Sequence, residues 1–120
     1  MKKEALVFIK HILESINRIE SFIKGVSEES FMNNEEKQSA VVRQLEIIGE
    51  AVKNIPLSFR KKYHHTPWSK IAGMRDKLMH HYFGVNLKIV WKVVKDDIPG
   101  LKENIKEILE KETNAEFVKK

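Results

Sequence analysis

An arginine, a histidine and a tyrosine fall within eight residues, Arg75-Asp-Lys-Leu-Met-His80-His-Tyr82, a stretch of about two helical turns. Arginine is a permanent cation whose fork of donors suits a phosphate. Histidine is the side chain best able to move a proton near neutral pH. Tyrosine adds a hydroxyl that can be modified. A cation, a proton shuttle and a hydroxyl in one cluster suit phosphodiester chemistry better than they suit a core. In such chemistry a cation steadies the charge on the phosphate, and an imidazole moves a proton as base or acid.

Helical geometry limits how these groups can cooperate. Arg75 and His80 are five residues apart, about 140° of rotation and about 7.5 Å of rise on a straight helix. They do not stack as an i, i+4 pair would. Arg75 and Tyr82, seven apart, share a face. Either the helix bends or unwinds near His80, just before Gly84, or two copies of the motif meet across a two-fold axis. The second arrangement would put two arginines and two histidines in one groove, supplying both a base and an acid.

The elements that must position the motif read as helices throughout. Ile9, Ile12, Ile16, Ile19 and Ile23 recur at steps of three and four, widened by Phe8 and Leu13, and predict an amphipathic helix over 4–24 that Gly25 stops. Residues 27–33 read as a connector, with one short helical turn around Phe31. Asn34 is a plausible N-cap, with Glu35 and Glu36 in the first turn. The second helix is expected to run to about Asn54, before Pro56. Its Val41, Leu45, Ile48, Val52 and Ile55 form a coiled-coil-like seam that suits dimerisation. Gly49 on this helix suits close packing of a neighbouring helix. Residues 57–65 are mixed and basic, anchored by Leu57 and Phe59. Thr66-Pro67 opens a third helix that is expected to reach Tyr82. Asn86 caps a fourth helix with Ile89, Val90, Val93 and Val94 on its apolar face, and Pro99-Gly100 break or kink it. A last segment, 101–112, carries Leu101, Ile105, Ile108 and Leu109. No strand alternation, internal repeat or low-complexity tract is present. The expected fold class is all-α, an up-and-down bundle of four to five helices, homodimeric, with one domain over 1–112 and a basic, frayed tail over 113–120.

Composition sets further bounds. The 120 residues are 42% hydrophobic and 32% charged, enough for one core with solvated outer faces. Lys and Arg number 22 against 17 Asp and Glu, a net charge of +5 that is compatible with a nucleic-acid partner. Cysteine is absent, which excludes disulfides and thiolate metal sites and fits a reducing, cytoplasmic location. Lys2 and Lys3 open the chain, but Glu4, Lys10, His11 and Glu14 interrupt the apolar residues that follow, unlike a signal peptide or a membrane span.

The motif Arg75-x-x-x-x-His80-x-Tyr82 resembles the signature of the HEPN superfamily in its HepT-like toxin branch. Its flanks strengthen the likeness: Leu45-Glu-Ile-Ile-Gly-Glu-Ala51, Trp68-Ser-Lys-Ile-Ala-Gly-Met-Arg75, Tyr82-Phe-Gly-Val-Asn86 and Ile89-Val-Trp91. The resemblance covers residues 4 to 110. It implies an all-helical homodimer that cuts RNA, tRNA or mRNA, without a metal or cofactor, from a cleft at the dimer interface. It also implies a partner, an MntA-like nucleotidyltransferase antitoxin of a type VII-like toxin–antitoxin pair, which silences the RNase by transferring AMP from ATP to the motif tyrosine. Carried over by position, Arg75 holds the scissile phosphate and His80 is the general acid or base. Asp76 orients a neighbour and Tyr82 accepts AMP, which adds an anion and bulk near Arg75. His81 stands where many relatives would carry Gly, and is a second candidate for proton transfer or a second cation.

Other residues carry plainer expectations. His64 and His65 sit on a solvated loop beside Arg60, Lys61 and Lys62, where RNA contact is possible. Adjacent histidines splay apart and no metal site is expected. Trp68 and Trp91 suit packing better than base stacking. A different class of function would keep the fold without the chemistry: a non-catalytic HEPN homodimer that binds RNA or nucleotide, or docks a nucleotidyltransferase. A third class is a helical interaction protein in which the motif is incidental.

Overall fold

Ile9, Ile12, Ile16 and Ile19 are all fully buried, so the isoleucine stripe of the first helix is the floor of the core. In the computed structural model of the chain this helix, α1, spans Lys2–Ile23. The structure describes residues 2–80 and 86–118, and only the backbone of residues 2, 75, 78–80 and 115–118. Gly25 ends α1 at φ 72°, left-handed backbone that glycine adopts without strain, and the Val26 N–H returns to the Ile23 carbonyl at 2.9 Å. A one-turn helix, α2 (Glu28–Met32), follows and buries Phe31, as the short turn read from the sequence implies. Its cap is Ser27, whose hydroxyl accepts the Ser30 N–H at 3.1 Å.

α3 spans Glu35–Asn54 and starts as its sequence predicts, with Asn34 Oδ1 accepting the Lys37 N–H at 3.0 Å. Lys37 also reaches back, its Nζ donating to the Phe22 carbonyl at 2.9 Å near the end of α1. Gln38 Nε2 donates to the Phe31 and Met32 carbonyls at 2.9 and 3.0 Å, which ties α2 to the same first turn. The seam of α3 has a different job from the one its period suggests. Val41, Leu45, Ile48 and Val52 are wholly buried and Ile55 nearly so, within a single chain. α3 packs against α1 on one side and α5 on the other. The seam therefore fills the protomer's core and is not a free dimerisation surface. Gly49 is buried on the same helix.

The mixed, basic segment after Pro56 begins with a short helix, α4 (Leu57–Lys62). Only one of its two expected anchors is buried: Phe59 packs inward while Leu57 is 58% exposed. α5 runs from Trp68 to His80, one residue later than Thr66-Pro67 suggests, with the Pro67 carbonyl accepting the Ile71 N–H at 3.1 Å. The expected continuation to Tyr82 and the turn at Gly84 lie outside the described residues. Trp68 is buried, and its indole N–H is shared between the Tyr63 carbonyl at 2.9 Å and the Arg60 carbonyl at 3.1 Å.

The C-terminal third is one helical rod. α6 (Leu87–Lys92) is capped by Asn86, whose Oδ1 accepts from the Lys88 and Ile89 amides. Of its expected apolar face Val90 and Val94 are buried, but Ile89 is 55% exposed. Pro99-Gly100 do not break the rod. The ladder widens one turn earlier, in a π segment over Val93–Asp97 where the Ile98 N–H bonds to the Val93 carbonyl five residues back. Pro99 lacks an N–H and cannot keep an ordinary i−4 bond, and the wider turn falls where that loss occurs. α7 then spans Ile98–Val118, six residues beyond the boundary expected at 112. It packs on α1, buries Leu101, Ile105 and Ile108, and is tied there by Lys102 Nζ to Glu20 Oε1 at 2.6 Å. Trp91 packs on Phe31 with ring centroids 5.2 Å apart, so both tryptophans serve packing. Among the described residues the chain is all-α: four long helical elements, two short helices and no strand.

At the far end of α7, Glu112 is buried and accepts from Lys62 Nζ at 2.8 Å and from the Tyr63 hydroxyl. Burial first, and then the hydrogen bond and negative charge of Glu112, push the Tyr63 hydroxyl well above its ordinary value of 10.0.

Two outcomes follow from this packing. Ile48→Ala opens a cavity at the centre of the seam and should cost about 2–5 kcal/mol, read as a lower urea midpoint. Because folding raises the Tyr63 value, it favours the protonated hydroxyl. That contribution is complete below the ordinary tyrosine value and is lost as pH rises above it. Urea unfolding between about pH 9 and pH 11 should show wild type losing more stability than Tyr63→Phe.

Candidate functional site

α5 carries Arg75, Asp76 and His80 on one helix that is continuous through His80. No unwinding therefore separates the arginine from the histidine, and their positions differ by about 140° around the axis. Asp76 lies between them on the shorter arc, one turn before His80 in i, i+4 register. Its carboxylate meets Lys53 Nζ at 2.5 Å, a pair that joins the last turn of α3 to the middle of α5. Both partners are partly exposed, with side chains 36% and 45% accessible, so the pair sets geometry more than it adds stability. Ile71 and Trp68, buried on the same helix, provide the apolar half of that attachment. Asp76 was expected to orient a neighbour; Lys53 is one residue that its carboxylate meets. Lys53 went unread in the sequence because an isolated lysine in the last turn of a helix is ordinary there.

The side chains of Arg75 and His80, and all of His81 and Tyr82, lie outside the described residues. A different face of α5, through Lys70, Met74 and Lys77, borders a groove of about 860 Å³. Its far wall is the C-terminal rod, with Ile89, Val93 and Leu101. The groove is open: Gly73 and Gly100, one on each wall, have nothing within 4 Å of where a Cβ would stand. Lys70 Nζ and Asp97 Oδ1 approach to 3.6 Å across it. His80 is about 60° around the helix from Lys77, and Arg75 about 100° from Met74 in the opposite sense, so the two motif positions flank the groove face.

The basic segment expected to touch RNA lies before α5 in the chain. Lys61, Lys62, His64 and His65 are exposed, and the His64 and His65 rings lie 4.3 Å apart. Arg60 is half-buried, and among the described residues its buried Nε has no hydrogen-bond partner. Lys62 is held by Glu112, which leaves it less free for a phosphate than its neighbours. From Trp68, the first residue of α5, to His80 the helix rises about 18 Å. Near this corner the Lys111 ammonium pairs with Glu107 at 2.8 Å and holds its carboxyl below the usual range. Among the described residues no group of three or more His, Asp and Glu is placed to hold a metal ion, and no helix is long and apolar enough to cross a membrane.

Comparison with known proteins agrees on one relationship. The ribonuclease HepT-like family matches residues 12–108, which include the motif and both flanks of α5. The chain is 51% identical over 110 residues to a Methanocaldococcus jannaschii protein named "gamma-glutamylcyclotransferase and putative RNase"; this covers 92% of the chain but only 50% of that longer relative. It is 50% identical to a protein of Caldanaerobacter subterraneus named "putative RNase", covering 88% of the chain and 94% of the relative. It is 47% identical to a Thermococcus cleftensis protein named "probable ribonuclease HepT", covering 85% and 93%. No solved structure matches the chain. The match to the family over most of the chain and these near full-length relatives place the protein: it belongs to the HepT-like ribonuclease family.

Proposed function

We propose that this protein is a metal-independent endoribonuclease, the toxin of a toxin–antitoxin pair, with Arg75 and His80 as its catalytic residues in a cleft between two copies of the chain. The observation that carries this reading is the unbroken helix α5, which holds both motif positions in a member of a ribonuclease family. The relatives' names supply the reaction class. The geometry of α5 supports the two-copy arrangement. With no unwinding before His80, one protomer presents its arginine and histidine on different faces, separated by the edge that Asp76 and Lys53 occupy.

In the proposed step one His80 takes the proton of the 2′-hydroxyl as its oxygen bonds to phosphorus. Arg75 stabilises the negative phosphorane. The imidazolium of the second His80 returns a proton to the departing 5′-oxygen as the P–O5′ bond breaks. A 2′,3′-cyclic phosphate and a 5′-hydroxyl remain. Regulation acts on the same helix end. A nucleotidyltransferase antitoxin transfers AMP from ATP to the Tyr82 oxygen with release of pyrophosphate, placing a phosphate anion and a nucleoside beside Arg75. The exposed Lys61, His64 and His65, with Arg60 and Lys62 behind them, extend RNA contact away from the scissile bond.

Cleavage of total RNA in EDTA tests the catalytic step. His80→Ala should lose about 10²–10⁴-fold in rate, and Arg75→Ala about 10²–10³-fold, while both fold as wild type. His81→Ala should retain activity. End analysis should find cyclic phosphate; 5′-phosphate ends or a strict need for Mg²⁺ would sink the mechanism. Absence of cutting by wild type would favour the non-catalytic binding module instead. For regulation, incubation with ATP, Mg²⁺ and the cognate nucleotidyltransferase should add the mass of one AMP and silence wild type, and Tyr82→Phe should take up none and stay active.

A further inference from the structure

The apolar stripe of α7 steps through Leu101, Ile105 and Ile108 at intervals of four and three, and its next position is Glu112. Glu112 is as buried as its apolar neighbours, 1% exposed. If the end of α7 only had to dock on the bundle, an apolar residue would do so without desolvating a carboxylate. The carboxylate has specific partners. Its Oε2 takes Lys62 Nζ at 2.8 Å and the Tyr63 hydroxyl, the last residue of α4 and the first beyond it. Tyr63 is also the residue whose carbonyl holds α5. That oxygen accepts the Trp68 indole N–H at 2.9 Å and the Thr66 N–H at 3.2 Å, and Trp68 is the buried first residue of α5. The Tyr63 ring is steadied on its other side by Phe59, 5.1 Å away between centroids.

We infer that Glu112 is a positioning residue for the reaction: from the C-terminal helix it clamps the α4–α5 corner and thereby fixes the first turn of the helix that carries Arg75 and His80. The link to catalysis rests on the proposed ribonuclease reading; the link to α5 does not. The raised value of the Tyr63 hydroxyl agrees with it, since the phenol stays a donor to Glu112 over the whole working range. α7 has a second polar tie, Lys102 to Glu20, which fastens it to α1 and never reaches α5. That pair separates clamping α5 from merely docking α7.

The test is amide hydrogen exchange and RNA cleavage on Glu112→Leu, Glu112→Gln, Tyr63→Phe and Lys102→Ala. Glu112→Leu completes the apolar stripe, so it should fold while releasing the corner. Exchange over residues 69–74 should rise about tenfold, with the α3 core amides unchanged. kcat should fall about tenfold with KM within about twofold, because alignment and not binding is lost. Glu112→Gln restores an acceptor for Tyr63 and should recover most of both. Lys102→Ala should leave α5 exchange and kcat near wild type. If Glu112→Leu does not fold, Tyr63→Phe decides, since it cuts the same tie with the core untouched. Unchanged α5 exchange in the folded variants overturns the inference, as does an equal rise in Lys102→Ala. If α5 exchange rises but wild type cuts no RNA, the ribonuclease reading fails and the clamp stands.

Discussion

The structure depends on the burial of one face of α3. Val41, Leu45, Ile48 and Val52 lose all contact with solvent, and the helices they meet, α1 and α5, have no comparable contact with each other. α3 is therefore the member through which the motif helix is attached to the rest of the molecule. Each of these aliphatic side chains contributes about 1.5–3 kcal/mol by leaving water, far more than the exposed Lys53–Asp76 pair. The division of labour is physical. Apolar burial fixes α5 against α3, and the ion pair adds one specific contact between the last turn of α3 and the middle of α5.

The polar ties at helix ends work in the same way. Lys37 and Gln38 fasten the first turn of α3 to carbonyls at the ends of α1 and α2. The Trp68 indole does this for α4, taking the Arg60 carbonyl of its last turn and the Tyr63 carbonyl just beyond it. Each tie joins the end of one helix to the start of another, so the loops between elements can be short.

Much of this is legible in the sequence where a local rule decides. The isoleucine stripe of α1, the glycine stop at Gly25 and the caps Asn34 and Asn86 depend on neighbours three or four residues away, and all are found as read. Features that tertiary partners decide are not legible. The period of the α3 seam is the same for an intramolecular core and for a dimer, so the sequence could not say which of the two it serves. Pro56 gives α4 no side-chain cap bond, and its basic composition hides a helix whose orientation Phe59 and Glu112 determine. Pro99 read as a break or a kink because the rule for proline is local; the helix is not broken, and its ladder widens into a π turn just before the proline. Glu112 looked like the end of an amphipathic stretch, because nothing near it in sequence reveals partners about fifty residues earlier. Of the site, the residue types and their spacing were legible; Lys53, which pairs with Asp76 from another helix, was not.

The spacing of five between Arg75 and His80 gains its meaning from the helix that holds it. On flexible chain such a spacing imposes little, since either side chain can turn toward the other. On α5, which is continuous through His80, it fixes an angle between the two backbone positions, and Asp76 with its Lys53 partner sits inside that angle. Under the proposed reading that angle sets the two positions of one protomer on different faces of the helix, and cleavage then depends on pairing two copies. Under the same reading a modification at Tyr82, seven residues from Arg75 in the sequence, would act on the shared groove and not on one isolated arginine.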